Sequence, residues 1–145
     1  MSAVFTLHPQ LAADCAVAGD WPLCRLLLMN DARYPWFILV PRRADIREIY
    51  QLTDADQQQL WRESARLGRA LMQAFNGDKL NIAALGNMVP QLHLHHIVRF
   101  QNDASWPAPV FGKFPPLPYA TDQRSECLER LSRSLGPENG LSAPL

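Results

Sequence analysis

Residues 91–100 read QLHLHHIVRF, and three of the four histidines of the chain lie within four consecutive positions of this stretch. Polar and apolar residues alternate here, which predicts a β-strand. Because successive side chains of a strand point to opposite faces, Gln91, His93 and His95 share one face with Arg99. His96 falls on the other face, which is mostly apolar and is predicted to pack on a core. The polar face joins an amide, two imidazoles and a guanidinium, a set suited to binding phosphate.

The composition predicts a single folded domain without a broad nucleic-acid surface. A chain of 145 residues with 48% hydrophobic residues can bury a substantial core, and this excludes general disorder. The 14 basic and 14 acidic residues give a formal net charge of zero. No nucleic-acid partner is therefore expected. A small nucleotide needs only a local patch of polar groups.

Three cysteines and the N-terminal sequence bear on the compartment. Cys15, Cys24 and Cys127 are widely spaced and form no CxxC motif, so the sequence predicts reduced cysteines in a cytoplasmic protein. The N-terminus lacks the pattern of a secretory signal. No apolar run approaches the roughly 20 residues that a transmembrane helix requires, so no membrane association is expected.

Several segments around the histidine stretch have clear patterns. Leucine-rich residues 23–29 and the apolar run 36–40 predict two strands, which are close enough in sequence to form an antiparallel hairpin. Thr53 is suited to cap a long helix that ends at Asn76-Gly77. Residues 79–85 alternate as a strand. Only about five residues separate that strand from the histidine strand, so the two should be antiparallel neighbours.

The two ends of the chain are less regular. Residues 11–18 are predicted to form a short helix or a turn, and the segment 101–120, rich in proline and aromatics, an ordered loop. A last helix is predicted at about 122–135, followed by a flexible tail over 136–145. The predicted fold is thus a single α+β domain over residues 1–135. Its antiparallel sheet of about five strands carries a long helix packed on it and a C-terminal helix.

The histidine stretch, preceded by GNMVP at residues 86–90, resembles the signature of the histidine-triad (HIT) family, in which three histidines alternate with apolar residues. The order of the predicted elements resembles that family over roughly residues 20–107. The resemblance implies a HIT-like fold, a small-molecule nucleotide substrate and a homodimer whose two sheets continue across the interface. It implies no cofactor.

The resemblance also implies roles for the triad positions. His93 corresponds to the nucleophile, and His95 to the residue that contacts phosphate oxygens and the leaving group. The first triad position holds Gln91, where the family usually has histidine, and this amide is expected to position the phosphate. An additional upstream histidine of the family corresponds to Trp36.

Further substrate-binding residues follow from the resemblance. They are Asn30 and Asp31 at the ribose, Asn81, Gly86 and Asn87 at the phosphates, and Trp106, which resembles a tryptophan after the triad in the phosphoramidate-hydrolase branch. Arg99 is added because it shares the polar face of the histidine strand. Its alternative interpretation is a salt bridge at the end of that strand.

The implied reaction is hydrolysis of a nucleotidyl phosphoanhydride, such as a dinucleoside polyphosphate, through a nucleotidyl intermediate on His93. The backbone carbonyl of Gln91 is expected to hold the second ring nitrogen of His93. The alternative is a catalytically weak or silent nucleotide-binding or sensing protein, because Gln91 and Trp36 replace expected histidines. A metal site on His93 and His95 is a third interpretation, although no metal-binding motif accompanies them. His96 is expected to be a hydrogen-bonded core or interface histidine.

Overall fold

The computed structural model describes residues 4–143 and contains one antiparallel sheet flanked by helices. The strands are β1 (Cys15–Asp20), β2 (Cys24–Met29), β3 (Trp36–Pro41), β4 (Lys79–Ala83) and β5 (Leu94–Arg99), and the α-helices are α1 (Pro9–Asp14), α2 (Asp54–Phe75) and α3 (Thr121–Leu135), with a 3-10 turn at Ile49–Gln51. This arrangement confirms the predicted α+β fold with its five strands, long helix and C-terminal helix. Within residues 4–143, no helix is long and apolar enough to cross a membrane.

The histidine strand lies inside the sheet, whose strand order is β1-β2-β3-β5-β4. The predicted hairpin of β2 and β3 is present, and β4 is the antiparallel neighbour of β5. His95 lies opposite Ile38 on one side and opposite Ala83 on the other. Backbone pairing on both sides therefore fixes the direction in which this imidazole points.

Helix α2 covers one face of the sheet. It begins after Thr53, whose side chain accepts a hydrogen bond from the backbone N–H of Asp56, as the capping prediction requires. The left-handed residue that ends the helix is Asn76, with a φ of 50°, rather than Gly77. Gly68 lets the helix approach the sheet, because a Cβ at this position would lie 2.6 Å from Leu80 Cδ2.

The opposite face of the sheet is covered by irregular segments. Its buried cluster is formed by Leu11, Leu27, Tyr34, Trp36, Ile38, Val40, Val89, Ile97 and Val110. Phe5 and Leu7 pack against this cluster from the N-terminus, and Phe111 from the long loop after β5. We call residues 4–8 the N-terminal strap. The loop is thus ordered by its apolar side chains, in agreement with the sequence prediction.

Three segments differ from the sequence predictions. Residues 15–20 form the edge strand β1, where the prediction for 11–18 was a helix or a turn. This strand contains small residues and a register shift between Val17 and Gly19, so it lacks a clear alternating pattern. Regular pairing of the histidine strand begins at Leu94, so residues 91–93 lie before the strand rather than in it. In the predicted tail, Ser142 pairs with Asp20 of β1.

Candidate active site

His93 lies just before β5 and is held by the backbone of Gln91. Its Nδ1 lies 2.6 Å from the Gln91 carbonyl oxygen, and the His93 side chain is largely buried. Because a carbonyl oxygen only accepts hydrogen bonds, Nδ1 of His93 carries the proton. The Nε2 atom of the neutral ring then keeps its lone pair. The bond to the Gln91 carbonyl that the family resemblance implies is therefore present, and the role of His93 as a nucleophile stays a prediction.

His95 is held in the opposite way by Trp36 on the neighbouring strand β3. The indole Nε1–H donates to His95 Nδ1 over 3.0 Å, and the two side chains are 7% and 6% exposed. Because Nδ1 accepts, the neutral ring carries its proton on Nε2. Burial lowers the pKa of His95 to about 3, and the neighbouring His93 and His96 add to this shift. His95 is therefore neutral at physiological pH.

The two imidazoles form a complementary pair. Their ring centroids are 4.9 Å apart, with the planes at 71° to each other. One ring offers a lone pair on Nε2 and the other offers an N–H on Nε2. This pair suits a phosphoryl group, whose phosphorus accepts a nucleophile while its oxygens accept hydrogen bonds.

His96 points to the helix side of the sheet and is fully buried. Its Nδ1 donates to the Leu94 carbonyl over 3.0 Å, and the Ser64 hydroxyl of α2 lies 2.7 Å from its Nε2. Burial lowers the pKa of His96 to about 4, although the bond to the Leu94 carbonyl opposes the shift. The prediction of a hydrogen-bonded core histidine is confirmed, and the bond to Ser64 ties α2 to the strand that carries the other imidazoles.

The side chain of Gln91 contacts the N-terminal strap. Its Nε2 donates to the Thr6 carbonyl and its Oε1 accepts from the His8 backbone N–H, both over 2.9 Å. The sequence-based expectation placed this amide at the phosphate, whereas in the structure both of its ends are bonded to backbone that is more than 80 residues away in sequence. The contact of Gln91 with the imidazole pair is made by its carbonyl.

A cavity of about 470 Å³ adjoins this pair through Trp36, which is one of its walls. Its other lining residues are Asp14, Met29, Asp31, Tyr34, Met88, Val110, Gly112, Phe114 and Pro116. Asp31, expected at the ribose, is thus brought into the same cavity as apolar side chains. Its Oδ1 accepts a hydrogen bond from the Arg33 backbone over 3.0 Å, which fixes the orientation of the carboxylate.

Asn30 is turned away from this cavity, although it adjoins Asp31 in sequence. Its Oδ1 accepts a hydrogen bond from the Tyr119 backbone N–H over 2.9 Å. It lines a separate cavity of about 150 Å³ with Asp14 and Cys15. The structure therefore separates the two residues that were expected to share the ribose.

Arg99 belongs to a buried ion pair, and its expected contact with the substrate stays a prediction. Two N–H groups donate to the Asp103 carboxylate over 2.8 and 3.0 Å, and a third donates to Asn81 Oδ1 over 2.9 Å. The Arg99 side chain is 1% exposed, with its guanidinium 5.5 Å from the Trp106 ring centroid. The alternative interpretation of Arg99, a salt bridge at the strand end, is confirmed.

Asn81 and Trp106 both contact Arg99. Together with Asp103, they form one cluster around its guanidinium. Asp103 holds the cluster together. Although its burial raises the pKa, hydrogen bonds from Arg99 and from the backbone of Phe100, Ser105 and Trp106 outweigh this effect and lower it to about 2. In the structure Asn81 and Trp106 contact Arg99, and their expected roles at the substrate stay predictions.

Gly86 and Asn87 lie in the loop between β4 and β5. Gly86 has a φ of 74°, which favours glycine, and Asn87 is exposed. The next residue, Met88, is 93% exposed and lines the 470 Å³ cavity. This loop therefore borders the cavity through Met88, and the expected phosphate contacts of Gly86 and Asn87 stay a prediction.

Besides the bond of Trp36 to His95, sequence reasoning missed two parts of the site. Phe111 packs its ring 5.0 Å from that of His95 and 5.7 Å from that of Trp36. The contact of the strap with Gln91 was also missed. The aromatic content of residues 101–120 was the only sequence signal for the first contact, and the second had none. Within residues 4–143, no group of three or more His, Cys, Asp or Glu side chains is arranged to hold a metal ion.

With this geometry established, comparisons with known proteins identify the family. The profile of the HIT domain matches residues 10–102. The chain belongs to the HIT family. Proteins of this family are generally nucleotide hydrolases or transferases.

Solved structures of HIT proteins resemble the whole fold. A histidine triad protein from Marinobacter aquaeolei is 54% identical with a TM-score of 0.89, over 92% of this chain and 97% of that one. Histidine triad proteins from Bradyrhizobium japonicum and Sinorhizobium meliloti are 45% and 42% identical, both with a TM-score of 0.89. They cover 91% and 90% of this chain and 98% and 97% of their own. No curated protein matches this HIT protein.

Proposed function

We propose that this HIT protein hydrolyses nucleotidyl phosphoanhydrides through a covalent nucleotidyl intermediate on His93. The observation that carries the proposal is the imidazole pair, in which His93 keeps a lone pair on Nε2 and the neighbouring His95 ring, with its centroid 4.9 Å away, carries its proton on Nε2. Family membership supports a nucleotide as the substrate. The cavity beside Trp36 supplies apolar walls for a base and the Asp31 carboxylate for ribose hydroxyls.

In the first step, His93 Nε2 attacks the α-phosphorus. A P–N bond forms, the bond from phosphorus to the bridging oxygen breaks, and the remainder of the substrate departs as a phosphate anion with the electron pair. The His93 ring becomes cationic because Nδ1 keeps its proton, and the Gln91 carbonyl at 2.6 Å stabilises this charge. His95 Nε2–H donates to a non-bridging oxygen as charge develops there.

In the second step, water attacks the same phosphorus. The new P–O bond replaces the P–N bond, the electron pair returns to His93 Nε2, and a proton of the water passes to solvent. The product is a nucleoside monophosphate. We assign Gln91 to the first triad position. It contributes its backbone carbonyl, a group that every residue type has.

The proposal is tested by single-turnover labelling with a nucleotide labelled on the α-phosphate. Wild type is expected to form an acid-labile protein adduct, and His93→Ala none at any time. His95→Ala is the matched control, because it removes the neighbouring imidazole and keeps the nucleophile, so labelling should be slower but complete. Nucleotide binding by wild type without an adduct and without product would instead establish the alternative, a silent binding or sensing protein.

We also propose that the protein is a homodimer that works in the cytoplasm. Support comes from the edge strand β4, because an edge strand offers backbone groups for pairing with a second chain. Ile82 on this strand is 44% exposed, and Leu85 just after it is 46% exposed. Light scattering of wild type and of Ile82→Lys tests the dimer. A wild-type monomer at micromolar concentration would contradict it.

The proposed location in the cytoplasm has a separate support. The three cysteines form no disulfides, which agrees with a reducing compartment.

A further inference from the structure

The hydrogen bond from Trp36 to His95 restricts what His95 can do. Tryptophan has one N–H and no acceptor nitrogen, so the atom that faces it at 3.0 Å must have a free lone pair. Nδ1 of His95 is therefore unprotonated whenever this bond exists. The proton of the ring is confined to Nε2.

Packing holds the indole in this place. The Trp36 ring makes edge contacts with Tyr34 at 6.4 Å and with Phe111 at 5.7 Å, and Phe111 also contacts the His95 ring at 5.0 Å. On the backbone, Trp36 lies opposite Ile97 of β5. The bond thus lies inside an aromatic cluster and between two paired strands, where a turn of either ring requires repacking of the other rings.

A general acid must be able to lose its proton and remain a stable species. If His95 transferred its Nε2 proton to a leaving group, the ring would become an imidazolate anion unless Nδ1 had first been protonated. Protonated Nδ1 would face the indole N–H, so two donors would oppose each other. His95 can stabilise negative charge through the hydrogen bond of its Nε2–H, but it cannot give that proton up to a leaving group.

We propose that Trp36 is a positioning residue that holds His95 as a hydrogen-bond donor and excludes it from proton transfer to the leaving group. This inference rests on the proposed function and narrows its substrate class. The bond between phosphorus and the leaving atom breaks with the electron pair going to that atom, and no proton arrives from His95. Substrates must therefore carry groups that leave as stable anions, such as phosphate, pyrophosphate or a nucleotide, whereas an amine needs protonation before it departs.

The kinetic test uses nucleoside 5′-phosphate aryl esters whose phenol leaving groups span a range of pKa values. Single-turnover rates of wild type should fall steeply as the phenol becomes less acidic. In Trp36→His, the new imidazole can accept from His95 Nδ1–H, so His95 can act as an acid and the slope should flatten. The rate ratio between the best and the poorest leaving group should then shrink by at least about tenfold, since general acid catalysis contributes about 10²–10⁴-fold.

Each ratio is taken within one variant, so a uniform loss of activity cancels. A shallow slope in wild type, or the same steep slope in Trp36→His, would overturn the inference.

A second arm does not depend on activity. The ¹⁵N chemical shifts of the His95 ring in unliganded wild type should show an unprotonated Nδ1 and a protonated Nε2. Trp36→Phe keeps an aromatic ring but removes the donor, so a mixture of tautomers is expected. Trp61→Phe is the matched control, because its indole is 51% exposed on α2, and it should leave the His95 shifts unchanged.

The two arms separate the two proposals. A protonated Nδ1 in wild type refutes the role of Trp36, whatever the enzyme does. The expected tautomer together with no adduct on His93 would refute the proposed function and leave the role of Trp36 in place.

Discussion

Replacement of Gln91 should release the N-terminal strap. The Gln91 side chain makes two hydrogen bonds of 2.9 Å to the backbone of Thr6 and His8. A net hydrogen bond contributes about 0.5–1.5 kcal/mol, and these bonds are partly exposed, so their joint contribution is about 1–2 kcal/mol. At about 1.4 kcal/mol per factor of ten, Gln91→Ala should raise the opening equilibrium of the strap by about 5–30-fold.

Hydrogen exchange measured by mass spectrometry on a peptide covering residues 4–12 reports this opening directly. The faster exchange should be confined to that peptide, because Phe5 and Leu7 are only partly buried and lie at the edge of the core cluster. Gln91→Glu adds a second signature. Its ionised carboxylate cannot donate to the Thr6 carbonyl, whereas the protonated acid can, so protection of the strap should return as the pH falls through the pKa of the new carboxyl.

Gln101→Ala, which changes an exposed glutamine in the turn after β5, serves as the control and should leave the strap unchanged. Exchange in the strap that is equally slow in wild type, Gln91→Ala and Gln91→Glu would refute the reasoning. The strap would then be held by its apolar contacts alone.

Three further predictions concern the buried polar groups around the site. Arg99→Met should destabilise the fold by about 3–5 kcal/mol, because the buried Asp103 carboxylate loses its partner, and a urea titration that finds under 1 kcal/mol would contradict this. Ser64→Ala should cost about 1–3 kcal/mol by the same measurement, because His96 Nε2 loses its hydrogen bond. The low pKa of His96, about 4 in the fold against about 6.5 when unfolded, means that the unfolded chain binds more protons between these values. The contribution of His96 to stability should therefore be complete above about pH 6.5 and fall towards pH 4 by up to about 3 kcal/mol, so a His96→Leu variant should show a shallower decline than wild type in urea titrations across this range.

The sequence predicted those strands and helices whose structure follows from the pattern of their own residues. The alternation around His93 and His95 assigned both imidazoles to one face and His96 to the other, and the pairing of β5 with β3 and β4 confirms it. Helix α2 followed from its cap and its apolar spacing. Strand β1 was missed because its small residues gain their extended form from pairing with β2 rather than from their own preference.

The partners of the polar side chains were harder to predict. Alternation placed Arg99 on the polar face, but its partner is Asp103 in the following turn, and a strand pattern does not describe turns. The bonds of Gln91 to the strap and of Trp36 to His95 span 83 and 59 residues in sequence. Such contacts depend on which strands meet in space, and no local periodicity encodes them.

The proposed reaction requires fixed orientations of the His93 and His95 rings. Neither orientation depends on an imidazole at position 91. A nucleophilic imidazole needs an acceptor on its second nitrogen, and His93 receives it from a backbone carbonyl, which survives any substitution at Gln91. A charge-stabilising imidazole needs its proton on the nitrogen that faces the phosphate, and His95 receives this orientation from the Trp36 indole. Each ring is therefore oriented through Nδ1 by a partner of opposite hydrogen-bonding character. In the proposed reaction, two imidazoles with fixed, opposite tautomers supply the attack on phosphorus and the hydrogen bond to its oxygen, and the side chain of Gln91 holds the N-terminal strap instead.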